Sequence, residues 1–175
     1  MAIWTSRYSN KELAEHKEKY YCVGISIGTP KFPLGYVLEQ QCYSLAPKGY
    51  MLKMEKDEYQ EAYFRKLEGI GADKIIGMVM RFEEAAAQED KELVLLCYED
   101  IRNPEDWCHR TMFAQWYCEQ TGEVIQELQD PTPPKGKRAK PQKNDNKEPA
   151  ARMEAKREDD GYQQMSLFGM AGMTI

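Results

Sequence analysis

Glu99, His109 and Arg110 are the residues whose types and spacing point most directly to chemistry. A carboxylate and an imidazole can each pass a proton to or from a reacting group, so Glu99 and His109 are the candidate catalytic residues. Glu99 could equally accept from a ribose or a base edge. A guanidinium in the first turn of a helix, beside backbone N–H groups without intrahelical partners, can hold an anion, and Arg110 is the candidate there. Arg7 and Ser6, at the end of an early strand, are further candidates for a ligand or anion contact. Trp107 could cover the helix start or stack on a base. Each residue also has a plainer reading. Arg110 could pair with Glu99 or Asp106, Glu99 with Arg7, and His109 could bond a backbone carbonyl. Cys97 and Cys108 invite a metal reading with His109. Neighbouring Cys and His rarely share one ion, and no second pair exists, so no metal is expected, and Cys97 reads as a small apolar core residue.

These residues need a scaffold that brings them together. Leu93 to Tyr98 is a short, nearly unbroken apolar run, the pattern of a strand buried on both faces of a parallel sheet. Glu99 falls where that strand ends. Asn103-Pro104 marks a turn in the loop Asp100 to Asp106. A helix beginning near Cys108 then carries His109 and Arg110 in its first turn. In open α/β sheets ligands bind beyond the carboxyl ends of the strands, which is where this arrangement puts the three residues.

The other elements follow in order. Ala2 to Tyr8 reads as a first strand, Ser9-Asn10 as a helix cap and Lys11 to Lys19 as a helix. Tyr20 to Ile27 reads as a second strand, broken by Gly28 to Pro33, and the three elements together make a βαβ unit. Leu34 to Met54 sustains no period of 2 or 3.6. It is expected to be an ordered loop with short pieces of structure, placed so that it could fold over the crevice. Lys56 to Glu68 and Asp73 to Gln88 are amphipathic helices, the first ended by Gly69 and Gly71. Cys108 to Gln120 is a helix stopped by Thr121-Gly122, and Glu123 to Leu128 a last strand. The expected fold is α/β: a mainly parallel, Rossmann-like sheet of about four strands with helices on both faces, over residues 1–130. Gly24 to Gly28 lacks the spacing and the Lys of a phosphate loop, so neither ATP nor a dinucleotide is expected, and no cofactor is assigned.

Charge divides the chain. Residues 1–129 hold 22 acidic and 15 basic residues, a poor surface for nucleic acid, whereas Lys135 to Lys147 has six basic residues and one acid. Residues 131–161 are rich in Pro, Lys, Asn, Glu and Arg and almost free of large apolar side chains. They cannot bury enough surface to offset ordering entropy and are expected to be a disordered linker. Residues 162–175 restore hydrophobicity at its end, the layout of a peptide that docks into a partner's pocket. Five cysteines without a CxxC pair suggest reduced thiols. The start lacks a secretory signal and no stretch approaches the roughly twenty apolar residues of a membrane span, so a cytoplasmic protein without a membrane partner is expected.

Two resemblances enter on particular residues. Gln164-Met165-Ser166-Leu167-Phe168 resembles the bacterial sliding-clamp binding motif. That resemblance implies that Gln164 hydrogen-bonds the clamp surface, and that Met165, Leu167 and Phe168 supply the apolar contacts. Ile3 to Ser9, with Leu95-Leu96-Cys97-Tyr98-Glu99 and Cys108-His109-Arg110, resembles the domain-of-unknown-function family numbered 488, over about residues 1–128. It implies the α/β fold and a site at Glu99 and His109-Arg110, without supplying an activity. Together they suggest a bacterial or phage protein of DNA replication or repair, recruited to the replication clamp. Its body would be a hydrolytic or glycosidic enzyme, and its basic linker would touch DNA. The alternatives are a non-enzymatic adaptor that occupies the clamp pocket and, further off, a small-molecule enzyme with an unrelated tail.

Overall fold

A computed structural model describes residues 2–134. Its centre is β4 (Glu92–Cys97), the apolar run singled out above, with Leu93 to Cys97 all buried. Alternation divides that run between two cores. Leu93 and Leu95 enter the larger one and Val94 and Leu96 the smaller. Both edges of β4 are paired in parallel. β1 (Ile3–Arg7) runs alongside with Ile3 opposite Leu93 and Arg7 opposite Cys97, and β2 (Tyr20–Gly24) with Tyr20 opposite Glu92 and Gly24 opposite Leu96. Two short outer strands complete the sheet, β3 (Gln40–Gln41) on β2 and β5 (Gln126–Glu127) on β1. The order is β3-β2-β4-β1-β5, and every pairing is parallel.

The α/β reading therefore holds, and the sheet adds two details. Among the described residues the sheet has five strands, because the aperiodic stretch 34–54 contributes β3, a two-residue strand too short to leave a pattern. It also holds a 3-10 helix at Gly49–Lys53. And β1 and β2 do not pair, since the far more apolar β4 takes the place between them. The helix after β1 is shorter than its charge pattern suggests. Asn10 caps α1 (Lys11–Glu15) by accepting from the Glu12 N–H. His16 to Lys19 then turn, so that the Lys19 carbonyl can receive the Glu92 N–H at 2.8 Å and start β2.

The helices cover the two faces unequally. α2 (Lys56–Ile70), α3 (Ala72–Gln88) and α4 (His109–Thr121) bury Tyr59, Tyr63, Leu67, Ile75, Val79, Phe113 and Trp116 against Leu93 and Leu95. Among the described residues the other face is covered by α1, through Leu13, and by the segment bearing Leu34, Tyr36 and Leu38. Gly71 joins α2 to α3 at φ 100°, a backbone angle that a side chain would strain. At the end of β2, a β carbon on Gly24 would collide with Gln41 Oε1 and the Tyr8 hydroxyl, so only glycine lets these two side chains cross the strand.

The chain beyond residue 130 is still held. Thr132 Oγ1 accepts from Arg7 Nη2 at 2.9 Å, and the Thr132 carbonyl accepts from Arg102. The expected linker from 135 onward, and the motif residues Gln164, Met165, Leu167 and Phe168, lie outside the described residues. Because Leu95 is fully buried in the strand that both cores share, Leu95→Ala is expected to cost about 2–5 kcal/mol. Urea unfolding followed by far-UV circular dichroism measures it; a cost under about 1 kcal/mol would show that β4 does not bear the core.

Candidate functional site

Two residues at the end of β4 meet two at the start of α4. Cys97 closes β4 and shares the parity of Leu93 and Leu95, so it faces the three long helices. Glu99 lies two residues on. Cys108 is the N-cap of α4, with extended backbone at φ −149° and ψ 148°, and His109 is the first helical residue. A change from extended to helical backbone between adjacent residues lets both side chains converge. The result is a cluster in which one donor atom from each of Cys97, Glu99, Cys108 and His109 lies within 4.8 Å of the others. Glu99 Oε2 is 3.0 Å from Cys97 Sγ and 2.9 Å from Cys108 Sγ, and His109 Nδ1 is 3.7 Å from both sulfurs.

The His109 ring is fixed from behind. Its Nε2 lies 2.9 Å from the carbonyl oxygen of Ile25, just past β2. A carbonyl only accepts, so Nε2 carries the hydrogen, and in the neutral ring Nδ1 presents a lone pair to the sulfurs. Tyr63 of α2 packs edge-on against the ring at 5.5 Å. The plain reading of His109, a bond to a backbone carbonyl, is thus what the structure shows. Both nitrogens are committed inside the protein, and the ring holds the cluster instead of offering a proton to solvent.

Crowding sets the electrostatics. Burial pushes the Glu99 carboxyl above its ordinary range, and the neighbouring Cys108 sulfur adds to the effect. Burial also opposes ionisation of Cys108, but the Cys97 thiol, His109 and Arg110 outweigh it and hold this thiol well below its usual value. Cys97 shifts the opposite way, upward, because of its interaction with Cys108 and because its site is dry. The two sulfurs behave as one unit.

The cluster is the floor of a cavity of about 350 Å³. Leu52, Pro47 and Met54 come from the segment 34–54, which does fold over the crevice. That segment is tied down by Tyr63, whose hydroxyl donates to the Leu45 carbonyl at 2.6 Å, and by Lys66 to the Ser44 carbonyl. Trp107 forms another wall, edge-on to Tyr59 at 4.9 Å. Tyr98 stands opposite, 42% exposed, its hydroxyl donating to the Gly28 carbonyl at 2.9 Å. Cys97, Cys108 and His109 are buried, whereas Glu99 reaches the surface.

The remaining candidates do not join this group. Ser6, Arg7 and Arg110 line a separate cavity of about 430 Å³. Ser6 Oγ accepts from Asn10 Nδ2 at 2.9 Å and is fully buried. Arg7 donates to Asp130 at 2.6 Å and to Asp100 at 2.9 Å. Arg110, 1% exposed, makes a forked contact with Glu127 at 2.9–3.3 Å and donates to the Glu99 carbonyl at 2.8 Å. Both guanidiniums are engaged by internal acceptors, and for Arg110 this is the ion-pair reading with Glu127 in place of Glu99 or Asp106 as the paired carboxylate. Successive residues on a helix point about 100° apart, so His109 and Arg110 face different cavities. The residues that sequence reasoning set aside are the two cysteines. Their signal is Cys97 and Cys108 with His109, which the rarity of one ion shared by a neighbouring Cys and His argues against.

No protein-family model matches the chain, and neither a curated protein nor a solved structure does. Among the described residues no helix is long and apolar enough to cross a membrane.

The Arg7–Asp100–Arg102–Asp130 network makes a pH prediction. Arg102 above all, with Arg7, holds the Asp100 carboxyl below its ordinary range, and Thr132 and Arg7 do the same for Asp130 against the opposing effect of burial. A carboxyl depressed in the folded state adds stability above the unfolded value, about pH 4, and that stability is lost as pH falls further. Urea midpoints from pH 6 to pH 2.5 should therefore fall more steeply below about pH 4 in the native protein than in Arg102→Ala. Parallel curves would show that the network contributes nothing to acid sensitivity.

Proposed function

We propose that this is a protein of DNA metabolism, recruited to the bacterial replication clamp through Gln164, Met165, Leu167 and Phe168. Its pocket over Cys97, Glu99, Cys108 and His109 carries out a hydrolytic or glycosidic step on a nucleotide or nucleic-acid substrate. The observation that carries the enzymatic part is Glu99: a carboxylate with a raised pKa at the floor of an open pocket, beyond the carboxyl end of the central strand. Glu99 is the acid–base group, and His109 is a positioning residue, because its ring is held by the Ile25 carbonyl. Tyr98, Trp107, Tyr59 and Leu52 give the pocket apolar and aromatic walls suited to the face of a base.

The clamp part is supported by the sequence: a Gln-aliphatic-Ser-Leu-Phe peptide beyond a charged, proline-bearing linker. Tethering raises local concentration at DNA without any sequence reading. Because Arg7, Arg102 and Arg110 are paired within the body, phosphate contacts fall to the basic residues between Lys135 and Lys147.

The test uses the labelled full-length chain titrated with sliding clamp, then assayed on clamp-loaded DNA carrying nicked, gapped or base-damaged sites. Saturable clamp binding is expected, lost in Leu167→Ala/Phe168→Ala. Turnover is expected to fall about 10²–10⁴-fold in Glu99→Gln. Clamp binding with no turnover, or with turnover indifferent to Glu99→Gln, would replace the enzyme with an adaptor that occupies the clamp pocket. Absence of clamp binding would remove the replication assignment.

A further inference from the structure

We infer that Cys97, Cys108 and His109 bind one divalent ion of the zinc class, with Glu99 as a fourth and exchangeable ligand. The inference stands on donor geometry alone and does not depend on which substrate the pocket takes or on the clamp.

Four observations converge on it. The first is the donor set. Two sulfurs, an imidazole nitrogen and a carboxylate oxygen, all within 4.8 Å of one another, are the ligand types that zinc takes in tetrahedral sites. Thiolates select against magnesium and calcium, and the imidazole and carboxylate favour zinc over a purely thiophilic ion. The second is the tautomer. The Ile25 carbonyl takes the Nε2 hydrogen at 2.9 Å and so aims the Nδ1 lone pair at the sulfurs, the outer-shell device by which metal-binding histidines are oriented.

The third is symmetry. In a thiolate–imidazolium dyad the ring would favour one sulfur. Here Nδ1 is 3.7 Å from both, and Glu99 Oε2 is 2.9 and 3.0 Å from both. Without a metal both thiols donate to Glu99 Oε2; once the thiols are ionised, the same four lone-pair groups stand evenly about a centre that a cation can fill. Zinc–sulfur and zinc–nitrogen bonds of about 2.3 and 2.05 Å at tetrahedral angles give a sulfur–nitrogen edge of about 3.6 Å, close to the 3.7 Å found. The sulfur–oxygen edges are shorter than that, so Glu99 must draw back by several tenths of an ångström on metal binding.

The fourth is the charge balance, which makes Glu99 the ligand that exchanges. Two thiolates and a neutral imidazole neutralise a divalent ion, and these three ligands are the buried ones. The Glu99 carboxylate is in excess, and it alone of the four residues is exposed. When it yields, the fourth position opens towards the cavity walled by Trp107 and Tyr98 and takes a water or a substrate oxygen. A zinc ion there would supply an acidified water or polarise a carbonyl or phosphoryl oxygen. Glu99, released beside it, is placed to take the water's proton.

The test uses full-length protein stripped with a chelator, checked for folding by circular dichroism and titrated with Co²⁺ and then Zn²⁺. One Co²⁺ per chain is expected, with an intense thiolate-to-cobalt charge-transfer band in the near ultraviolet and the strong visible bands of a tetrahedral ion. Zn²⁺ should displace it. Cys97→Ser and Cys108→Ser should each weaken that band. Each should also cost more affinity than the roughly 10–100-fold lost with an outer-shell partner. Glu99→Gln leaves the buried ligands in place, so it should still bind one Co²⁺ and keep the charge-transfer band, with shifted visible bands. A folded chain that binds no Co²⁺ with this signature overturns the proposal. So does cobalt binding that is unchanged in a folded Cys108→Ser protein, or that disappears entirely in Glu99→Gln.

Discussion

The double burial of β4 is the constraint on which the rest of the structure depends. A strand paired on both edges, with Leu93 and Leu95 in one core and Val94 and Leu96 in the other, has no freedom to slip. A shift of one residue would exchange the two sets of side chains between cores of different size. That rigidity passes directly to Cys97, the strand's last residue, and then to Glu99. On the other side of the cluster, the His109–Ile25 hydrogen bond ties the start of α4 to the end of β2, which is itself registered on β4. The four donors are therefore referred to a single strand, although they come from a strand end, a loop and a helix start. Sites built on such elements hold their geometry better than sites built on loops alone.

How much of this could be read from the residues depends on what kind of information each feature carries. β4 was legible as a nearly unbroken apolar run, and α2, α3 and α4 because their apolar residues recur at helical spacing and because Gly71 and Gly122 stop helices by their backbone freedom. β5 was legible as part of the last strand expected over Glu123 to Leu128, although only Gln126–Glu127 pair, whereas β3, of two residues, carries no period at all. The position of β4 between β1 and β2 was equally hidden, since strand order is a property of the assembled sheet. Trp107, Glu99 and His109 were gathered correctly at the end of the central strand. Ser6, Arg7 and Arg110 were not, because sequence gives the type of a guanidinium but not its acceptors. Glu127 and Asp130, which engage Arg110 and Arg7, lie 17 and 123 residues away along the chain.

The two cavities illustrate opposite uses of charge. Around Arg7, Arg102 and Arg110, the carboxylates of Asp100, Asp130 and Glu127 meet the guanidiniums at 2.6–2.9 Å, so attraction is satisfied within the protein and that cavity is electrostatically closed. Around Glu99 the reverse holds. The sulfurs, the carboxylate and the imidazole lone pair are all electron-rich, and no Lys or Arg side chain is among the residues lining that pocket. Protons on the thiols can relieve part of this, as the opposed shifts of Cys97 and Cys108 indicate. Acceptors that face one another in a largely buried cluster are costly unless protons, here those the thiols donate to Glu99, or another positive group lie between them.

The adjacency of Cys108 and His109 shows why spacing rules for ligands fail at helix starts. Within a helix, neighbours point about 100° apart and rarely meet one ion. Within a strand they point to opposite faces. At an N-cap neither rule applies, because Cys108 has extended φ and ψ while His109 is already helical. The junction is also where the helix dipole is positive, which favours a thiolate at Cys108. The pair Cys97-x-Glu99 obeys the ordinary strand rule, i and i+2 on one face. A constellation made of one regular pair and one junction pair is invisible to any search that requires both halves to have helical or strand spacing. It becomes visible once the helix start is placed at His109, because from then on the backbone leaves Cys97, Glu99, Cys108 and His109 a single space to share.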